Sequence, residues 1–204
     1  MNSPPPGAHR RTIFVAAAAI LLAAAPAWAA DLDAAKAKAK QVCAACHGPE
    51  GTSQIENTPS LAGQPDQFTQ WQLVYFRAGT RKHADMSKIA ADLSDADIRN
   101  LGAYFATLAP AQSPPPPDSD PALTERGTKI AAQRNCGSCH REKYEGQQAI
   151  ARLAGQREDY LLKSLRDFKT GTRTGGGVAA MPSTVVGLSD DDLKALAHYL
   201  ARLR

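Results

Sequence analysis

The feature that most constrains this chain is a five-residue pattern, Cys-x-x-Cys-His, found at residues 43–47 and again at 136–140. In each copy, two thiols on one turn can add to the two vinyl groups of a porphyrin, and the histidine that follows can bind its iron. The two copies use all four cysteines of the chain. The pattern therefore predicts two covalently bound c-type haems. The predicted attachment residues are Cys43, Cys46, Cys136 and Cys139.

Three other uses of paired cysteines fit the sequence less well. A four-cysteine zinc site would also consume every thiol, but the two pairs are 93 residues apart, against roughly 15–20 residues in common zinc modules. A disulfide framework does not require the histidines. A thioredoxin-like site requires a strand–helix context that the sequence does not show. Each pair also lies in its own sequence repeat, so neither pair needs the other.

Residues 1–29 have the pattern of a secretory signal peptide. Basic residues at 9–11 precede an apolar run over 13–25, and an Ala-x-Ala cleavage site follows at 27–29. An uncleaved anchor is the alternative, because the apolar run approaches the roughly 20 residues that span a bilayer. We predict an exported, periplasmic protein with peripheral or no membrane contact.

The sequence repeats itself after its first motif, which predicts two tandem domains. Three further motifs recur: Leu-Ala-Gly-Gln at 61–64 and 153–156, Gly-Thr-Arg at 79–81 and 171–173, and Leu-Ser-Asp at 93–95 and 188–190. A nearly constant offset of this kind marks a tandem duplication, and the apolar residues within each copy have helical spacing. In the first copy, the spacing of Ile98, Leu101 and Phe105 predicts a helix, and Ser94 followed by Asp97 predicts its capped start. We predict all-α domains over 30–112 and 122–204. Four consecutive prolines favour an extended spacer over 113–121.

Charge is distributed unevenly between the two copies. Residues 31–112 hold 8 Lys/Arg and 9 Asp/Glu, whereas residues 121–204 hold 14 and 9. The excess of basic residues in the second copy indicates either an acidic partner for the second domain or a dispersed, solvated surface. The basic residues are scattered without interleaved aromatic residues, so no nucleic-acid binding is expected.

Each haem iron needs two protein ligands besides the porphyrin nitrogens. His47 and His140 are the predicted first ligands. For the second, each copy has one methionine at an equivalent place before its last helix, Met86 and Met181. Both methionines are predicted to lie in loops, so we do not expect them to fill an apolar core.

Two other histidines compete for the irons. His83 has no counterpart in the second copy, and we interpret it as a surface residue. His198 lies opposite Ala103 in the repeat, and we interpret it as an exposed or capping residue. The backbone carbonyl of Pro59 is expected to orient the His47 ring.

An iron bound by histidine and methionine has every position filled, so it passes one electron and is poorly suited to binding oxygen or peroxide. The sequence therefore favours an electron-transfer protein over an enzyme. The alternatives are a di-haem peroxidase, an electron-transfer subunit of a periplasmic dehydrogenase, and a sensor in which Met86 detaches to admit a small ligand.

The duplicated motifs and their methionines resemble the di-haem cytochrome c4 family, which joins two class I cytochrome c domains. The resemblance covers essentially the whole exported chain. It implies domains related by a pseudo-twofold axis with haem edges near each other. It also implies a carrier between a quinol-oxidising complex and a terminal oxidase. One position departs from the family pattern, since Ala151 occupies the place that Pro59 has in the first copy. A carbonyl remains available there, but the loop is expected to be less rigid, so the two reduction potentials can differ.

Overall fold

The computed structural model describes residues 1, 29–111, 120–174 and 180–204. Within these ranges the chain forms α-helices and no β-strand, apart from one isolated bridge between Gln147 and Ile150. The predicted all-α class is thereby confirmed. The predicted signal peptide, the prolines of the predicted linker and the glycines at 175–177 lie outside the described residues.

The two halves contain the same succession of helices. The first half holds α1 (Leu32–Lys38), α2 (Ala44–His47), α3 (Asp66–Arg77), α4 (Ala84–Ala91) and α5 (Asp95–Thr107). The second half holds α6 (Pro121–Gln133), α7 (Gly137–His140), α8 (Glu158–Lys169), α9 (Ala180–Val185) and α10 (Asp190–Arg202). A π-helical turn over Ala39–Cys43 joins α1 to α2. The sequence repeat is therefore also a repeat of the fold.

The helix boundaries follow from local side-chain chemistry. Ser94 and Ser189 begin the last helix of each half with a capping box, in which the serine and the aspartate three residues later satisfy each other's backbone N–H. The predicted cap at Ser94 is thus confirmed. Pro121, predicted to be the end of the linker, instead begins α6. Asp120 caps this helix, and a proline fits its first position because the missing N–H has no partner there.

Each half packs its first and third helices against its last one. Helices α1 and α3 contact α5, and helices α6 and α8 contact α10. The crossing of α6 and α10 is close at Gly127, where a Cβ atom would lie 2.2 Å from the carbonyl oxygen of Ala195. Only glycine allows the two backbones to approach this closely.

Two equivalent glutamines join the halves. The Gln156 side chain accepts a hydrogen bond from the Ser60 N–H at 2.8 Å and donates to the Ser60 carbonyl at 2.8 Å. The Gln64 side chain accepts from the Arg152 N–H at 3.0 Å and donates to the Arg152 carbonyl at 2.9 Å. Both glutamines end the Leu-Ala-Gly-Gln motif, so one reciprocal contact is made twice. This arrangement agrees with the predicted pseudo-twofold relation.

Candidate functional site

The two motif histidines are buried and oriented in the same way. Each ends a short helical turn, and His47 and His140 are 7% and 8% exposed. His47 Nδ1 lies 2.8 Å from the carbonyl oxygen of Pro59, and His140 Nδ1 lies 2.8 Å from that of Ala151. A carbonyl only accepts, so Nδ1 carries the hydrogen and Nε2 keeps the lone pair that binds a metal. The predicted role of the Pro59 carbonyl is confirmed, and Ala151 serves equally well.

Burial sets the protonation state of both rings. It lowers the pKa of His47, although the hydrogen bond to Pro59 opposes the shift, and nearby His83 lowers it further. Burial also lowers the pKa of His140, although the hydrogen bond to the Ala151 carbonyl opposes the shift. Both rings are therefore held as neutral imidazoles, which is the form that binds iron.

The four cysteines form no disulfide with one another and lie in two separate pairs. Cys43 and Cys136 are partly buried, whereas Cys46 and Cys139 are exposed. Burial raises the pKa of Cys43 to about 11 and also raises the pKa of Cys136. Across the described ranges no three His, Cys, Asp or Glu side chains gather into a metal site. One inner and one outer thiol per pair suit a buried group that reaches the surface at one edge.

The two methionines lie at equivalent places, but in helices rather than in the predicted loops. Met86 is in the first turn of α4, and Met181 is the second residue of α9. Both are partly buried. The α4 helix begins before Met86 because His83 caps it. The Nδ1 atom of His83 accepts the N–H groups of Asp85 at 3.3 Å and Met86 at 3.4 Å. His83 itself is exposed, as predicted.

The interpretation of His198 as an exposed or capping residue is wrong. His198 is 3% exposed and lies inside the contact between α8 and α10. Its Nδ1 atom is 3.4 Å from Glu158 Oε1, and Glu158 also accepts a 2.6 Å hydrogen bond from Arg202. These contacts give His198 a structural place in the helix packing.

The loops that follow the two motifs differ at one strained position. The carbonyls of Gly51 and Tyr144 each accept two N–H groups from the start of the Leu-Ala-Gly-Gln motif, so the two residues are equivalent. Both have positive φ, 73° and 57°, which is costly for tyrosine. A Cβ atom on Gly51 would lie 3.2 Å from the Phe105 ring. The second half has the smaller Leu200 at that place, and the Tyr144 ring joins the core edge-on to Tyr199.

Sequence reasoning missed the polar residues that connect the halves. Besides the glutamines, these include Gln72, Arg81, Tyr160 and Arg173. The available signal was the recurrence of Gln and Arg at the same place in both copies, because a polar side chain repeated beside apolar neighbours indicates a constrained partner.

Comparison with known proteins agrees with this architecture. The family model of cytochrome c matches residues 124–204, and the model of the cbb3-type cytochrome c oxidase subunit III matches residues 30–105. Cytochrome c4 of Azotobacter vinelandii is 37% identical over 194 residues, covering 86% of this chain and 90% of that protein. A thiosulfate dehydrogenase electron acceptor of Thiomonas intermedia is 33% identical over 202 residues, covering 94% and 90%.

A solved structure shows the same fold over both halves. The crystal structure of reduced recombinant cytochrome c4 from Pseudomonas stutzeri matches with a TM-score of 0.77 and 32% identity, covering 86% of this chain and 100% of that one. The duplicated thiol pairs and the neutral, oriented imidazoles fit a haem in each half. The chain therefore belongs to the cytochrome c4 family of electron-transfer proteins, and its cofactors are two covalently bound haem c groups.

Proposed function

We propose that this protein is a periplasmic carrier that takes electrons from a quinol-oxidising complex and delivers them to a terminal oxidase. Cys43 and Cys46 attach the first haem, and His47 and Met86 bind its iron. Cys136 and Cys139 attach the second haem, whose iron is bound by His140 and Met181.

The matched orientation of the two histidine rings supports this proposal most strongly. Each ring donates from Nδ1 to a carbonyl at 2.8 Å, which leaves Nε2 of a neutral imidazole for iron. Each half also has a single methionine in a short helix that packs near its long helices. When bound, each haem exchanges one electron between its ferrous and ferric states. The residues of the chain would hold the two imidazole rings in place and supply methionine sulfur as the second ligand of each iron.

Substituting the methionines tests the ligand assignment. Met86→Ala and Met181→Ala are each expected to remove half of the sulfur-to-iron absorption band of the oxidised protein, and to let the reduced protein bind carbon monoxide at one haem. His83→Ala is the matched control, because His83 caps the same helix without being a proposed ligand. If either methionine variant keeps the full band, the assignment of that sulfur is wrong.

A second candidate is the electron acceptor of a periplasmic dehydrogenase. The likeness to a thiosulfate dehydrogenase electron acceptor over 94% of the chain supports it. Rapid mixing separates the candidates. The oxidised protein is mixed with thiosulfate dehydrogenase and thiosulfate, and the reduced protein with membranes containing a terminal oxidase. Fast reduction in the first mixture with no oxidation in the second would favour the dehydrogenase partner and contradict the respiratory one.

We also propose that the chain is exported and cleaved after Ala29. The described residues contain no helix that has both the length and the apolar character needed to cross a bilayer. N-terminal sequencing of the periplasmic fraction tests this proposal. A protein that begins before residue 30 and sediments with membranes would contradict it.

A further inference from the structure

The outward face of α3 carries an exposed pair of aromatic residues. Trp71 is 46% exposed, and its ring stacks on that of Tyr75 one turn later, with the ring centres 5.6 Å apart. Gln67 and Ala78 on the same face are also exposed, and Val74 is partly buried. None of these side chains is charged, so α3 presents a neutral and largely apolar face to the solvent.

The equivalent helix of the second half shows that the fold does not require this face to be apolar. At the offset of the Leu-Ala-Gly-Gln motifs, the same positions of α8 hold Asp159, Lys163, Arg166, Asp167 and Thr170. The charged side chains among them are paired: Asp159 with Arg157, Lys163 with Asp167, and Arg166 with Asp190. A solvated, charged face is therefore sufficient at this place of the fold, and the aromatic face of α3 indicates a partner.

The spacing of the residues on this face is that of a seam between packed helices. Gln67, Trp71, Val74 and Ala78 follow one another at intervals of four, three and four residues. This alternation is the pattern by which two helices pack along their length. We therefore expect the partner of this seam to be another helix.

The seam is complementary to itself in size when a second α3 helix is placed antiparallel to the first. A twofold axis through the middle of the seam sets Trp71 of one copy against Val74 of the other. The same axis sets Gln67 against Ala78. A large side chain thus lies opposite a smaller one at each place, which allows the two faces to interdigitate.

Charge at the edge of the seam is complementary in the same arrangement. Asp66 in the first turn of α3 and Arg77 in its last turn both lie on the side nearest α5, where Asp66 is close to Gly102 and Arg77 pairs with Asp95. In an antiparallel pair, the Asp66 end of one copy lies beside the Arg77 end of the other, which brings opposite charges together. The dipoles of the two helices also oppose each other. A second copy of this chain therefore matches the face in both size and charge.

We propose that the outward face of α3 binds the same face of a second copy of this chain, forming a symmetrical, antiparallel helix pair. A helix of 12 residues is about 18 Å long and about 10 Å wide, whereas a stable interface buries roughly 800 Å² on each partner. Since α3 alone offers less than this area, the pair is weak, and it forms and dissociates readily. Neither the haem ligands nor the redox partners proposed above enter into this pairing.

Sedimentation equilibrium of the complete two-haem protein tests the pairing. The average mass is expected to rise toward that of a dimer as the concentration increases, and the association is expected to persist at high salt because the seam has no charge. Trp71→Lys combined with Tyr75→Asp gives α3 the ion pair found on α8, and it is expected to weaken the association at least tenfold, because buried Trp and Tyr side chains dominate interface energies. Ile55→Lys is the matched control, since Ile55 is 47% exposed and lies outside α3. The proposal is overturned if the wild-type protein stays monomeric at every concentration, or if the double variant associates as strongly as the control.

The indole N–H of Trp71 supplies a test that needs no variant and so remains decisive if the double variant fails to fold. Trp71 is the only tryptophan after residue 28, so its indole resonance in the ¹⁵N-labelled protein is unambiguous. This resonance is expected to shift with protein concentration in step with the average mass. A rise in mass without the shift would place the contact on another face and contradict the proposal. Binding of a monomeric protein to phosphatidylcholine vesicles, lost in Trp71→Lys, would assign the face to a lipid surface and would also contradict it.

Discussion

Replacing Gln156 with alanine is expected to destabilise the half of the molecule to which Gln156 does not belong. Gln156 and Ser60 are 5% and 2% exposed, so the N–H and carbonyl of Ser60 depend on this side chain. Each buried backbone group left without a partner costs about 1–3 kcal/mol. We expect the free energy of unfolding to fall by about 2–4 kcal/mol. The full cost of two unpaired groups is not reached because the shortened side chain leaves space for a water molecule beside one of them. The affected backbone directly follows Pro59, whose carbonyl orients His47.

Tryptophan fluorescence during urea denaturation can follow the first half selectively. Trp71 is on α3, residues 120–204 contain no tryptophan, and Trp28 lies in the predicted signal peptide. The emission of Trp71 is expected to be quenched by the haem in the folded first half and to rise when that half unfolds. Gln64→Ala is the matched variant, because it removes the equivalent contact to Arg152 and acts on the second half. If Gln156→Ala moves the Trp71 transition by less than 0.5 kcal/mol, roughly the effect of an ordinary surface substitution, the reasoning is refuted.

Three further substitutions test other features. Gly127→Ala is expected to cost about 1–3 kcal/mol in thermal melts because the new methyl group meets the backbone of α10, whereas Gly137→Ala, whose Cβ is 3.9 Å from its nearest neighbour, is expected to be harmless. Hydrogen bonds from Ser189 lower the pKa of Asp192 to about 2. The folded state therefore binds this proton less tightly than the unfolded chain does, so the free energy of unfolding falls as the pH drops from about 4 toward 2. Asp192→Asn is expected to reduce this dependence of stability on pH in urea titrations. Tyr144→Gly relieves about 1–2 kcal/mol of left-handed strain but loses a buried ring worth about 3–5 kcal/mol. A net loss of about 1–4 kcal/mol in the free energy of unfolding is therefore expected, and an unchanged melting temperature would contradict this account.

Local patterns in the sequence predicted most of the helices and their caps. The apolar spacing over Ile98, Leu101 and Phe105 predicted a helix, and these residues form the core face of α5. Ser94 and Asp97 predicted its start because a capping box needs only four consecutive residues. The carbonyl partner of His47 was also predictable, since it lies only 12 residues along the chain.

Features that depend on distant residues could not be predicted in this way. His198 lies on α10, where Ala195, Leu196 and Ala197 are all buried. His198 also follows the exposed Lys194 by one helical turn, so periodicity alone places it on the polar side of α10. What covers it is α8, whose Glu158 lies 40 residues earlier in the chain. The contact between Gln156 and Ser60 joins residues 96 apart, and nothing in either neighbourhood identifies the other. The helix around Met86 depends on a cap by His83, an unusual capping residue.

The exchange of Gly51 and Phe105 for Tyr144 and Leu200 limits recombination between the two gene segments. A crossover that moved the loop 140–153 into the first half, while α5 stayed in place, would press the tyrosine against the phenylalanine ring that now covers glycine. The reverse chimera would leave a void beside Tyr199, where the tyrosine ring now packs. Loop and terminal helix must therefore be inherited together. At these positions the two copies can therefore diverge only by such paired changes.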